Sequence, residues 1–219
     1  MLRKLFKDTI IYGIATVLPR VLTLLLTRLY VNKLDTADFG IYSGLFVYLI
    51  LGNVLLSYGM ETAFFRFMNK GEQKKKVQST ALTSLTISSL FFLLIAYLLR
   101  HFIASWLNYD VQYIVFAIYI LVLDALVVIP FAWLRNKGKA KLYAMVKIGN
   151  TALNLALNIY YLNYLSAENL ATNGGVYYIF LANVIASLAT FIVLLPIYLK
   201  IRFKFYYPLW KEMMIYAFP

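Results

Sequence analysis

The chain has 219 residues, of which 63% are hydrophobic and 17% aromatic, yet its formal net charge is +12. A soluble domain has no interior large enough to hide that much apolar surface, and a basic nucleic-acid-binding protein spreads its charge over a water-facing surface, not between apolar runs. The pattern is that of an integral membrane protein, with no nucleic-acid partner.

A helix needs about 20 apolar residues to cross the ~30 Å hydrocarbon layer. Six runs reach that length in chain order: Thr9 to Val31, Phe39 to Phe64, Ser79 to Leu99, Val111 to Leu134, Leu142 to Leu165 and Gly175 to Leu199. A seventh begins near Met213 and stops at Pro219. Strict alternation over about 10 residues, the mark of barrel strands, is absent, so the expected fold is all-α: a polytopic helical bundle of six transmembrane helices plus the start of a seventh.

Lys and Arg concentrate on every second link. The N-terminal tail carries Arg3, Lys4 and Lys7, and the second link Arg66, Lys70, Lys74, Lys75 and Lys76. The fourth carries Arg135, Lys137, Lys139 and Lys141, and the segment after the sixth run Lys200, Arg202, Lys204 and Lys211. The alternate links hold only Lys33 and Arg100, beside Asp35, Asp38, Asp110 and Glu168. Sixteen cations against two put the N-terminus on the cytoplasmic side, and the expected location is the cytoplasmic (inner) membrane. Orientation explains the basic links; attraction of Lys74, Lys75 and Lys76 to anionic headgroups is the lesser reading. Cysteine is absent and His101 is the single histidine, so no thiolate or histidine metal site is expected, and no cofactor. The first run lacks a small-residue cleavage site and carries Arg20, which reads as a retained anchor. Links of at most about a dozen residues leave no room for an extramembrane catalytic domain.

Lys7-Asp8-Thr9-Ile10-Ile11-Tyr12-Gly13 is echoed by Lys211-Glu212-Met213-Met214-Ile215-Tyr216-Ala217. A chance match in so biased a composition is one reading. The other is that residues 1–205 form a first six-helix lobe and 206–219 open a second, parallel copy, the remainder of which is a C-terminal lobe missing from this chain.

Ionisable groups inside spans are rare and usually functional. Arg20 and Asp124 fall near mid-bilayer, and Lys147 in the cytoplasmic third of the fifth run. Arg28 and Glu61 lie near span ends, where they can snorkel to water. The first run carries a stripe of Thr16, Arg20, Thr23 and Thr27, and the fifth a stripe of Lys147, Asn150, Asn154 and Asn158. The third carries Thr80, Thr83, Ser84, Thr86 and Ser88, and the sixth Asn183, Ser187 and Thr190. Helix-to-helix hydrogen bonding accounts for the third and sixth; the fifth exceeds what packing needs and points to a water-filled cavity. Pro19, Pro130 and Pro196 each free a backbone carbonyl within a span. The expected substrate-binding set is Arg20, Lys147, Asn150, Asn154 and Asn158, with Asp124 as ion-coupling residue or charge partner. Two cations against one carboxylate favour an anionic passenger, the cations meeting phosphate and the amides sugar hydroxyls. Pairing of Arg20 with Asp124 is the simpler alternative.

Four local features carry a family resemblance: Leu26-Thr27-Arg28 leading to Asp38-Phe39-Gly40-Ile41-Tyr42; Tyr58-Gly59-Met60-Glu61-Thr62-Ala63-Phe64-Phe65-Arg66; Arg135-Asn136-Lys137-Gly138-Lys139; and Tyr216-Ala217-Phe218-Pro219. With these the chain resembles the N-terminal half of the lipid-linked oligosaccharide flippases and polysaccharide exporters (the Wzx type) of the multidrug/oligosaccharidyl-lipid/polysaccharide superfamily. The resemblance implies a two-lobed transporter with a central cationic cavity and alternating access, not an enzyme. Its substrate would be a polyprenyl-diphosphate-linked oligosaccharide, flipped for polysaccharide, O-antigen or capsule (lipopolysaccharide-type) synthesis. A cation-coupled multidrug antiporter predicts a more acidic cavity, and a membrane polymerase or acyltransferase predicts a long outer loop or an acid/histidine cluster.

Overall fold

A computed structural model describes residues 2–70, 73–164 and 167–217; the side chains of 2–5, 7 and 167–173 are not described. The described residues form helices and no strand: α1 (Leu2–Lys33), α2 (Thr36–Ser57), α3 (Met60–Asn69), α4 (Lys74–Leu98), α5 (Arg100–Leu107), α6 (Val111–Asn136), α7 (Ala140–Tyr164), α8 (Ala167–Lys200, interrupted at Gly174) and α9 (Tyr207–Ala217). Leu165, Phe218 and Pro219 lie outside the described residues, and with them the last residue of the fifth run and the end of the expected seventh.

Five segments are long and apolar enough to cross a membrane: Asp8–Lys33, Thr36–Asn69, Lys74–Leu98, Val111–Asn136 and Gly174–Lys200. The fifth expected span, α7, is not among them. At 25 residues it is long enough, about 37 Å, but Lys147, Asn150, Asn154, Asn158 and Asn163 dilute its apolar character. α9 covers 11 residues, about half a membrane thickness.

Local chemistry sets the breaks. Asp35 caps α2 by accepting the Asp38 N–H at 2.7 Å, satisfying one of the helix's unpaired first-turn donors. α2 and α3 are separated by Tyr58 (φ 33) and Gly59 (φ 66), both left-handed, so the second apolar run is two helices with a sharp turn between them. Gly59 answers a second demand, since a Cβ there would lie 3.1 Å from the Ala217 carbonyl oxygen of α9.

α6 is the central post. Its most apolar window is 56% buried, against 11% for the windows of α1 and α2. It packs on α2, α4 and α8, with α3, α5 and α7 adding smaller contacts. α1 lies chiefly along α7, and α1 and α2 share no extended contact. Leu24, Leu55 and Leu98 are among many exposed apolar side chains, as a lipid-facing surface requires.

Apolar side chains gain little from leaving lipid for one another, so polar ties between helices matter. Ser84 and Thr86 of the α4 stripe supply them together with the neighbouring Ser79, whereas Thr80 and Thr83 are buried with no hydrogen-bond partner among the described residues. Ser84 Oγ sits 2.8 Å from Tyr58 Oη and accepts the Trp210 indole N–H at 2.9 Å. Thr86 bonds Tyr198 of α8. Ser79 reaches the carbonyls of Arg202 and Lys204 and accepts the Lys204 N–H at 2.8 Å. Residues 206–217, expected to open a second lobe, pack here on α3 and α4, with Met213 fully buried in the core those helices form.

Candidate functional site

The site is built around Asp124 of α6 and the polar stripe of α7, which border the same cavities. Asp124 lies midway along α6, between apolar turns. Its carboxylate accepts the Ser187 hydroxyl of α8 at 2.8 Å and the Asn53 amide of α2 at 3.5 Å. Two neutral donors from two helices thus hold the one acidic side chain in the middle of the bundle, and Arg20 is not among its hydrogen-bond partners.

Two cavities share Asp124, Asn150 and Thr151 and lie end to end along α6 and α7. The first, about 210 Å³, runs toward the Asp35 and Asp110 end; besides the shared residues its polar lining is Thr23, Tyr30, Tyr42, Asn53, Asn154 and Asn183. The second, about 350 Å³, runs toward the basic end, past Lys147, Tyr143 and Phe131 to Glu61 and Arg135. The first is a cavity of amides and hydroxyls with a single carboxylate. The second holds two formal charges of each sign.

The α7 stripe divides by depth. Asn150 donates to Thr190 Oγ1 at 2.9 Å, and Thr190 in turn donates to the Ala186 carbonyl at 3.0 Å. Asn154 lines the first cavity. Asn158 is fully buried and folds back on the preceding turn, its Nδ2 2.8 Å from the Asn154 backbone oxygen and 2.6 Å from Asn154 Oδ1. It lines neither cavity. Lys147 Nζ lies 5.8 Å from the Tyr143 ring centroid and 6.0 Å from that of Phe131, an aromatic setting that favours a cation. Among the described residues no carboxylate is within ion-pair distance of it.

Arg20 is exposed on α1 and lines neither cavity. It stands three residues before Thr23, which does line the first, and so shares that face of α1. The hydroxyls of its stripe turn inward on their own helix: Thr16 donates to the Tyr12 carbonyl, Thr23 to Pro19 and Thr27 to Thr23. The excess of positive charge expected inside the bundle is not what the two cavities present, because Arg20 lies outside them and Glu61 enters with Arg135. Glu61, expected to snorkel to water, pairs with Arg135 at 2.7 Å, each side chain still partly exposed.

Asn53, Tyr30, Tyr42 and Thr151 escape a sequence reading. Asn53 alone left a signal, as a lone amide in the apolar stretch from Ile41 to Leu56.

Fold and site together define a multi-pass, all-helical membrane protein with a polar cavity system inside its bundle. Residues 5–219 match the family described as polysaccharide biosynthesis protein, that of the Wzx-type flippases, and the chain belongs to that family. Comparison with curated proteins and with solved structures found no match to either.

Proposed function

We propose that this chain is part of a flippase that moves a polyprenyl-diphosphate-linked oligosaccharide from the cytoplasmic to the outer leaflet of the inner membrane by alternating access, without catalysing a covalent step. The observation that carries this reading is the amide-lined track of Asn53, Asn150, Asn154 and Asn183 inside the bundle. Neutral amides suit sugar hydroxyls, which both donate and accept hydrogen bonds. Membership of a polysaccharide-synthesis family makes a glycan the natural passenger.

In this reading α7 also crosses the membrane, fifth in chain order, tolerated despite its polarity because Asn150 and Asn154 face the cavity and Asn158 is buried. The basic end is cytoplasmic, so Lys147 in the second cavity and Arg20 on the open face of α1 meet the diphosphate, while Asn150 and Asn154 meet the sugars. The open side between α1 and α2 faces a second lobe, and the lipid tail stays in the bilayer.

The test is export in a cell that depends on this protein. Lys147→Ala and Arg20→Ala should each lower surface polysaccharide about ten-fold, the scale of one lost charge-assisted hydrogen bond, with the protein still present in the membrane. Lipid-linked oligosaccharide should accumulate on the cytoplasmic leaflet. Undiminished surface polysaccharide in both variants would overturn the assignment.

A further inference from the structure

A third cavity, about 440 Å³, opens at the basic end between the start of α4 and the end of α8, away from the central track. Lys75, Lys76, Lys200, Arg202 and Lys204 line it with Gln78, Ser79 and Tyr206, and no carboxylate is among the lining residues. Orientation alone asks only that these cations lie on one side of the membrane. It does not ask five of them to converge on one pocket.

Their placement is electrostatically unfavourable in two ways. Like charges repel across the pocket, and Lys75 and Lys76 stand in the first turn of α4, where the helix dipole already presents its positive end. Gln73, at the cap position, makes no side-chain capping hydrogen bond. The pocket is nevertheless fixed in shape, because buried Ser79 ties the 201–206 link to α4 through the backbone of Arg202 and Lys204. Lys76 Nζ lies 5.3 Å from the Tyr206 ring.

The link itself is two-sided. From Arg202 to Phe205 it is neither helix nor strand, and it alternates cation and aromatic: Arg202 and Lys204 line the pocket, while Phe203 and Phe205 are exposed apolar rings beside exposed Leu199 and Tyr207. Cations and aromatics side by side at the end of a membrane-spanning helix match the headgroup level of a bilayer, with phosphate on one side and acyl chain on the other.

We propose that this pocket is a binding site for the phosphate of an anionic phospholipid, held by Lys76, Arg202 and Lys204 with its acyl chains along Leu199, Phe203 and Phe205. The site is separate from the passenger's track and does not depend on the flippase reading.

Native mass spectrometry of the detergent-purified chain tests it, with phosphatidylglycerol and phosphatidylcholine as probes. The wild type should take up one phosphatidylglycerol at far lower concentration than phosphatidylcholine. Lys76→Gln/Arg202→Gln/Lys204→Gln, all at exposed positions, should weaken that binding roughly a hundred-fold, as expected for three basic residues facing an anionic headgroup. Lys137→Gln/Lys139→Gln/Lys141→Gln removes the same charge elsewhere on the basic face and should leave the preference intact. Circular dichroism checks that both variants remain helical. Equal uptake of the two lipids by the wild type, or equal loss in the two triple variants, would overturn the site. Displacement of phosphatidylglycerol by millimolar inorganic phosphate would overturn the lipid assignment in favour of a soluble phosphate.

Discussion

Asn154 and Asn158 are one helical turn apart and chemically identical, yet their surroundings give them different work. Asn154 borders the first cavity, whereas Asn158 has no exposed surface and spends its amide protons on Asn154, taking up that residue's side-chain oxygen. In the proposed track this geometry gives Asn158 a positioning role and leaves the Asn154 amide group to donate into the cavity. Asn154→Ala should lower polysaccharide export about five-fold, the scale of one neutral hydrogen bond to a passenger. Asn158→Ala should lower it less than about two-fold, since Asn154 keeps its place on the helix and loses only a constraint. Export from the two variants, normalised to protein in the membrane, decides between these roles; an equal or deeper loss in Asn158→Ala would place that residue in contact with the passenger. The same contrast marks how far a residue pattern reaches. The period of α7 puts Lys147, Asn150, Asn154 and Asn158 on one face, but depth along that face depends on neighbours that periodicity does not name. Asp124 is similar: its isolation in an apolar run marks it as buried, while its partners Asn53 and Ser187 come from helices 71 and 63 residues away.

Helices end where the backbone can turn, and the turn between α2 and α3 rests on Gly59. Its φ of 66 is a conformation open to glycine at no steric cost, and the Ala217 Cβ of α9 would lie 3.2 Å from any Cβ added there. Gly59→Ala should destabilise the protein by about 1–2 kcal/mol, the cost of a left-handed residue bearing a Cβ. Thermal unfolding of the purified variant in detergent would register it as a lower midpoint, and an unchanged midpoint would mean that the turn relaxes without strain. Hydropathy averages over this break, because Tyr58-Gly59 interrupts the run by only two residues and apolar side chains continue on both sides. Hydropathy also counts amides against a span regardless of where they point. That is why α7 reads as a crossing by length and spacing but falls short by apolar content. Five runs were legible because lipid-facing surfaces demand unbroken apolar composition. Contacts such as α9 on α3 and α4 were not, because they join residues more than a hundred positions apart through a tryptophan and a serine.

At the scale of the whole molecule, the two ends of the bundle differ in charge more than in shape. One end gathers Arg66, Lys70, Lys74, Lys75, Lys76, Arg135, Lys137, Lys139 and Lys141, while the other carries Asp35, Asp38 and Asp110. Positively charged links resist translocation, so the asymmetry predicts that the basic end lies in the cytoplasm. The chain is well suited to a direct measurement, since it contains no cysteine and an introduced thiol is the single one within these 219 residues. Asn108 and Gln73 sit at opposite ends of α4 and its continuation α5, and Lys137 lies at the far end of α6 from Asn108. Asn108 has a φ of 56, a conformation that asparagine tolerates better than cysteine, so the neighbouring Asp110, which is exposed and extended, is the better site at that end. In intact cells with the outer layer opened, a membrane-impermeant maleimide should label Asp110→Cys fully. It should label Gln73→Cys and Lys137→Cys only after the inner membrane is disrupted. Labelling of all three from outside would mean that α4 and α6 do not cross. The reverse pattern would invert the protein, placing Lys147 and the larger cavity on the outer side and the passenger's entry with them.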